Sequence, residues 1–185
     1  MESLDCTFVV TEFCPEGDLF SNITERGKYV GDDALAKRAF LQILDAVEFC
    51  HYIGICHKDL KPEHVLVTGQ GMTIKITNFG LATTDHLTSD SECGSTFYIP
   101  SAQKCMWSLG AILLSLTCGR NLWKRASFED SVFRAYMKDP KLLRPTLPIS
   151  PELDSILGRI FSLAKGITIP ELRRLILGCR RFTSP

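Results

Sequence analysis

Apolar residues recur at helical spacing in two long stretches of the chain. Between Asp32 and Gly54 they repeat every three or four residues and form one apolar face, with Asp32 or Asp33 placed to cap the helix. The second stretch, Met106–Cys118, is apolar nearly all round, which is typical of a helix buried inside a domain. The pattern therefore predicts two core helices, one of them with a solvated face.

Shorter patterns predict the remaining elements. Thr7–Phe13 is β-branched and aromatic and predicts a strand, and the turn Gly69–Gly71 separates two more short strands, 65–68 and 73–77. The polar stretch from Asn78 to Lys104 has no period and predicts a long loop. Further helices are expected at 18–24, capped by Asp18, at 127–138, capped by Ser127 with Glu129 and Asp130 in its first turn, and at 152–163 and 171–177.

Composition narrows the function class. The chain has 185 residues, with 21 Lys and Arg balanced by 21 Asp and Glu, so a general nucleic-acid binder or a polybasic membrane binder is not expected. Its apolar runs are too short to span a bilayer, and no secretory signal is expected at the N-terminus. Eight cysteines without a C-x-x-C pair favour reduced thiols in an intracellular protein, cytoplasmic or nuclear.

The chemistry is concentrated in two motifs. Residues 55–67 read ICHKDLKPEHVLV, and residues 76–82 read ITNFGLA. Here the chain resembles the Ser/Thr protein kinases, whose catalytic loop reads H-R-D-L-K-P-E-N and whose metal motif reads D-F-G. The spacing of the motifs and the later W-S-L-G at 107–110 agree with the family order. The wording of TEFCPEGDLF at 11–20 is most similar to fungal kinases of the nutrient and meiotic-control type.

The resemblance implies an α+β fold, mainly α, that corresponds to the C-terminal lobe of a kinase together with its hinge strand. The whole chain, 1–185, is expected to form one partial kinase domain. Its parts would be a hinge at 8–18, a catalytic-loop remnant at 57–64, an activation segment at 78–102 and a helical subdomain at 105–177. Neither a glycine-rich loop nor a V-A-I-K lysine precedes the hinge, so no N-terminal lobe is expected.

The resemblance also assigns roles to individual residues. Asp59 matches the carboxylate that orients the substrate hydroxyl, and Lys61 matches the ammonium that offsets charge on the transferring phosphoryl group. His57 and Phe79 are expected to pack together beneath the site. Nucleotide-contacting positions match Glu12, Cys14, Asp18 and Leu66, and the substrate-binding segment matches Ser95 and Thr96.

Two departures weaken the metal site. The family's magnesium-binding Asn is His64 in this chain, and the Asp of D-F-G is Asn78. Magnesium prefers hard, anionic oxygen ligands, whereas imidazole suits zinc or copper and an amide oxygen is a weak ligand. No metal site and no cofactor are therefore expected, and ATP and Mg²⁺ would be used only if the chain were a working kinase.

Departures from the kinase motifs after residue 100 also favour a chain without useful phosphotransfer activity. The family Asp before W-S-L-G is Cys105, the A-P-E motif lacks its Glu, and a D-P-x-x-R segment is replaced at 163–167. Three interpretations stay open: an inactive kinase-like interaction module, a working Ser/Thr kinase whose N-terminal lobe comes from a longer product, and a decayed paralogue or incomplete gene model. A metal site built from His57, Asp59 and His64 is a weaker alternative.

The partner prediction concerns one surface. Phe8, Val10, Leu66 and Phe79 match positions that an N-terminal lobe or an adenine ring covers in a whole kinase, and we call this set the N-lobe face. An uncovered apolar surface tends to be an interface. A protein partner or self-association on this face is therefore expected, and neither nucleic acid nor a membrane is.

Overall fold

A computed structural model describes residues 8–84, 101–123, 130–139, 141, 143–162 and 166–184. The described chain is mainly helical and carries one small sheet, so the α+β, mainly α, fold class is confirmed. The elements are α1 (Leu19–Thr24), α2 (Asp33–Tyr52), β1 (Val65–Thr68), β2 (Thr73–Ile76), α3 (Ser101–Cys118), α4 (Ser131–Lys138), α5 (Leu143–Thr146), α6 (Pro151–Ile160) and α7 (Ile169–Gly178). None of the helices in these ranges has the length and hydrophobicity needed to cross a membrane.

Helices α2 and α3 form the centre of the core, as their apolar patterns predict. Asp32 caps α2 by accepting a hydrogen bond from the Leu35 amide at 2.9 Å. Helix α3 is buried along most of its length and packs closely against the end of α6. A side chain at Gly110 would come within 2.7 Å of both Ile160 and Phe161, so this contact requires glycine.

The small sheet positions the candidate site. Strands β1 and β2 are antiparallel, with Leu66 opposite Lys75. The segment before α1 lies against β1, since the Val67 amide donates to the Gly17 carbonyl at 2.9 Å and Asp18 forms an isolated bridge with Leu66. The predicted hinge is thereby attached to the strand that follows the catalytic loop.

The predicted hinge strand is wrong over its described part. Residues 8–13 form no strand, and Val10 and Phe13 are 87% and 86% exposed. A β-branched sequence forms a strand only when a neighbouring strand pairs with its amides and carbonyls, and no described segment lies in that position.

Two helix starts differ from the prediction by four or more residues. Helix α3 begins at Ser101, so the predicted loop does not extend to Lys104. The residues 101–104 are compatible with a helix, and Gln103 fixes this first turn by donating to the Ser162 carbonyl at 2.8 Å. Helix α4 is capped by Asp130 rather than by Ser127, because the Asp130 carboxylate accepts from the Val132 and Phe133 amides. Ser127 and Glu129 lie outside the described residues.

Candidate functional site

The catalytic-loop remnant and the segment after β2 lie side by side. Cys56 and Thr83 exchange two backbone hydrogen bonds of 2.9 and 3.0 Å. The Thr77 amide donates to the His64 carbonyl at 2.9 Å, and the His57 Nε2 donates to the Thr77 carbonyl at 2.8 Å. The fold therefore brings together the two sequence motifs that carry the chemistry.

His57 packs beneath the catalytic-loop remnant and bonds to its backbone. Its ring is buried and packs on Phe79 with 4.8 Å between ring centroids, which is the contact the sequence predicts. Its Nδ1 accepts from the Asp59 amide at 3.3 Å, which fixes the ring as the Nε2–H tautomer. The next residue, Lys58, has a left-handed backbone with φ of 63°, and the Asp59 side chain that follows it is 38% exposed.

Asp59 and Lys61 form the part of the site that resembles an active kinase. The Lys61 ammonium lies 3.4 Å from the Asp59 carboxylate, and the two side chains are 44% and 38% exposed. Because both groups are accessible from solvent, the carboxylate can orient or deprotonate a hydroxyl. An exposed ion pair of this kind contributes little to the stability of the fold.

His64 and Asn78 bond to each other. The Asn78 amide nitrogen lies 2.7 Å from Nε2 of His64, and Nδ1 of His64 lies 2.7 Å from the Asp59 carbonyl. A carbonyl only accepts, so Nδ1 carries the proton and Nε2 accepts from Asn78. Asn78 has a left-handed backbone with φ of 60°, a conformation that asparagine tolerates better than most residues. Both nitrogens of the His64 ring are thus satisfied within the protein.

These residues do not fit the magnesium that the kinase family uses. The two ligand positions offer an imidazole and an amide, and their facing nitrogens are bonded to one another. Magnesium takes oxygen ligands in an octahedral arrangement. Across the described part of the chain, no three His, Cys, Asp or Glu side chains are grouped so as to hold a metal ion. The weaker alternative, a metal site built from His57, Asp59 and His64, is therefore wrong.

The predicted nucleotide positions lie close together around β1. Asp18 bridges Leu66, which is half-buried, and Cys14 is buried in the turn before them. The Asp18 carboxylate caps α1, since it accepts from the Ser21 amide at 2.7 Å and from the Ser21 hydroxyl at 3.2 Å. Each of its oxygens keeps a further acceptor site, so capping does not prevent a hydrogen bond from a ribose hydroxyl.

Two ion pairs that the sequence did not indicate hold the hinge. Glu12 lies 2.8 Å from Lys75 of β2, and this contact raises the pKa of the Lys75 ammonium. Glu16 lies 2.7 Å from Lys28, which lowers the pKa of the Glu16 carboxyl. The partners are distant in sequence, so only the fold reveals them. The predicted substrate residues Ser95 and Thr96 lie outside the described residues.

Comparison with known proteins decides the family. The model of the protein kinase domain matches residues 1–168. The chain belongs to the protein kinase family. It is 40% identical over 218 aligned positions to the "Negative regulator of sexual conjugation and meiosis" of Schizosaccharomyces pombe, an alignment that covers 99% of this chain and 46% of that protein. It is 32% identical to the serine/threonine-protein kinase VHS1 of Saccharomyces cerevisiae, over all of this chain and 46% of the relative.

These relatives confirm the resemblance to Ser/Thr kinases, and the two named above are fungal proteins. A CDPK-related kinase 5 of Arabidopsis thaliana is 37% identical over 80% of this chain and 26% of that protein. The chain spans less than half the length of these relatives. The alignment of 218 positions is longer than the 185-residue chain, so the fission-yeast protein has residues that this kinase segment lacks.

Cys105, which the sequence resemblance matches to a family Asp, is expected to make the stability of this kinase segment depend on pH. Burial raises the pKa of the Cys105 thiol from 9.0 to about 12. Above its ordinary pKa the thiol ionises in the unfolded chain but stays protonated in the folded one. The free energy of unfolding should therefore fall as the pH rises from about 9 towards 12, by up to about 1.4 kcal/mol per pH unit for this group.

Urea titrations of the reduced chain at pH 8, 9 and 10 measure this effect. In Cys105→Ala, the free energy of unfolding is expected to fall less steeply with pH than in the wild-type chain. The difference in slope should correspond to one titrating group. Met106→Ala, which removes a buried side chain without a titrating group from the same helix, should lower stability equally at each pH. If the free energy of unfolding falls equally steeply with pH in Cys105→Ala and in the wild-type chain, the raised pKa of the Cys105 thiol is not the cause.

Proposed function

We propose that the chain is a Ser/Thr-kinase-family segment that has little or no phosphotransfer activity and acts as an intracellular interaction module, cytoplasmic or nuclear. The hydrogen bond between His64 and Asn78 carries this proposal. In the family these two positions hold magnesium, whereas here the Asn78 amide nitrogen occupies Nε2 of His64. Coordination of a metal by Nε2 of His64 would require that bond to break. The Asn78 amide oxygen is not part of the bond, but a single neutral oxygen is a weak magnesium ligand.

Losing the metal is expected to slow phosphate transfer strongly. The metal of a kinase offsets charge on the β- and γ-phosphates, which is worth several kcal/mol. A loss of about 3–5 kcal/mol slows a reaction by roughly 10²–10⁴-fold. Neither a glycine-rich loop nor a V-A-I-K lysine occurs in the 185 residues, so the groups that position the phosphates are not supplied by this sequence.

One observation favours a second candidate, a working Ser/Thr kinase whose N-terminal lobe and nucleotide contacts come from a longer product. Asp59 and Lys61 keep the family pairing, with 3.4 Å between their charged groups. ATP and Mg²⁺ belong to this candidate alone. A decayed paralogue without function is the third interpretation, and it differs from the first in having no partner.

Phosphate transfer from radiolabelled ATP in the presence of Mg²⁺ tests the proposal. The 185-residue chain is expected to label generic Ser/Thr substrates no faster than Asp59→Ala does, because both lack a fitting metal site. Asp59→Ala is a suitable control since its side chain is exposed and its loss leaves no buried group unpaired. Turnover by the wild-type chain that Asp59→Ala abolishes would support the working-kinase candidate instead.

A further inference from the structure

An open cleft lies between the first half of α2 and the segment that follows α7. Its volume is about 720 Å³, and Asp59 and the other residues of the kinase-like site are not among its lining residues. Among the described lining residues, Asp33 carries the one carboxylate. Four cationic side chains also line the cleft: Lys37, Arg38, Arg180 and Arg181. The chain as a whole has no net charge, so this concentration of positive charge is local.

The wall of the cleft is fixed by the fold. The Asp33 carboxylate accepts from the Phe182 amide at 2.8 Å and from the Thr183 hydroxyl at 3.2 Å, while the Phe182 ring is fully buried. Lys37 donates to the Cys179 carbonyl and lies over the Phe182 ring. The single carboxylate of the cleft is thus used to hold the C-terminal segment against α2.

Two guanidinium groups are left for a ligand. Arg38 and Arg181 are exposed, and among the described residues neither side chain has a hydrogen-bonded or ion-paired partner. Arg180 differs, because the Glu152 carboxylate accepts from its amide at 2.7 Å and lies near its guanidinium. Ala34 and the partly buried Leu41 add apolar surface between the cations.

We propose that this cleft binds an acidic peptide segment of a partner protein. Carboxylates of the segment would pair with Arg38 and Arg181, since guanidinium groups form paired hydrogen bonds with carboxylates. An apolar side chain between them would rest on Leu41. A nucleic acid is a poorer fit, because only a short row of cations is present and the chain has no excess charge along which a backbone could extend.

This inference goes beyond the proposed function, since the cleft shares no residue with the kinase-like site or the N-lobe face. Binding to the cleft and phosphate transfer can therefore succeed or fail independently. A cleft that binds nothing would leave the proposal about His64 and Asn78 unaffected.

Fluorescence polarisation with the full 185-residue chain provides the test. The probe is a short labelled peptide of alternating glutamate and leucine, and the comparison probe alternates lysine and leucine. The acidic peptide is expected to bind, more weakly as salt is added, and Arg38→Glu/Arg181→Glu is expected to weaken it about tenfold. Arg174→Glu, which reverses an exposed arginine outside the cleft, should leave binding unchanged.

Three results would overturn the proposal. The acidic peptide does not bind the wild-type chain, or it binds the double charge reversal as tightly, or a labelled single-stranded oligonucleotide binds more tightly and loses affinity in the same variant. The last outcome would assign the cleft to nucleic acid. Arg38→Lys/Arg181→Lys, which keeps the charge but cannot form the paired hydrogen bonds of a guanidinium, should bind the acidic peptide more weakly than the wild-type chain and more tightly than the charge reversal.

Discussion

The double variant His64→Asn/Asn78→Asp of the 185-residue chain is expected to transfer no more phosphate than the wild-type chain. The two changes restore an amide and a carboxylate at the family's metal positions and remove the bond between the side chains. If the metal ligands alone limited the reaction, the rate would rise by roughly 10²–10⁴-fold. We expect no such gain, because phosphoryl transfer depends largely on positioning the phosphates, and the chain's sequence has no residues that match that role.

The comparison uses the same radiolabel assay on the wild-type chain, the double variant and the double variant carrying Asp59→Ala. Circular dichroism checks that all three are folded. A double variant that reaches an ordinary kinase rate of about 1 s⁻¹, and loses it with Asp59→Ala, would show that the metal positions were the only defect.

Self-association or partner binding through the N-lobe face is the second large effect we expect. Phe8, Val10 and Phe79 are 59%, 87% and 43% exposed, so these apolar side chains are available to a partner. Covering about 400 Å² of apolar surface is worth up to about 10 kcal/mol before the costs of association. The purified chain should therefore form oligomers or bind a hydrophobic dye at tens of micromolar.

Light scattering and dye fluorescence on matched variants measure this effect. Phe8→Asp/Val10→Asp should lower both the average mass and the dye signal, whereas Tyr52→Asp, at an 87% exposed side chain outside the N-lobe face, should change neither. A monodisperse wild-type monomer without dye binding would contradict the proposed role of the face.

Local signals in the sequence predict the helices well and their exact ends less well. Helix α2 follows from its apolar face and from Asp32, whose capping depends only on residues a few positions away. The start of α4 is harder to predict, because several residues of that polar stretch are able to cap a helix, and Asp130 is the residue that accepts from the Val132 and Phe133 amides.

Features that depend on distant partners could not be predicted. The strand expected at 7–13 requires a neighbouring strand, which no local pattern reveals. The identities of His64 and Asn78 predict a poor magnesium site, but their mutual hydrogen bond depends on the left-handed backbone at Asn78 and on the pairing of two segments. The same holds for the cationic cleft, since Arg38 and Arg181 are brought together only by the contact of α2 with the C-terminus.

Metal binding tests the central claim most directly. Electron paramagnetic resonance counts free Mn²⁺, a probe for magnesium sites, as it is titrated into the 185-residue chain with ADP. If His64 and Asn78 satisfy each other, the titration should match that of ADP alone up to millimolar Mn²⁺. Binding of one further Mn²⁺ per chain, lost in Asn78→Ala, would show that this position holds a metal and would contradict the account.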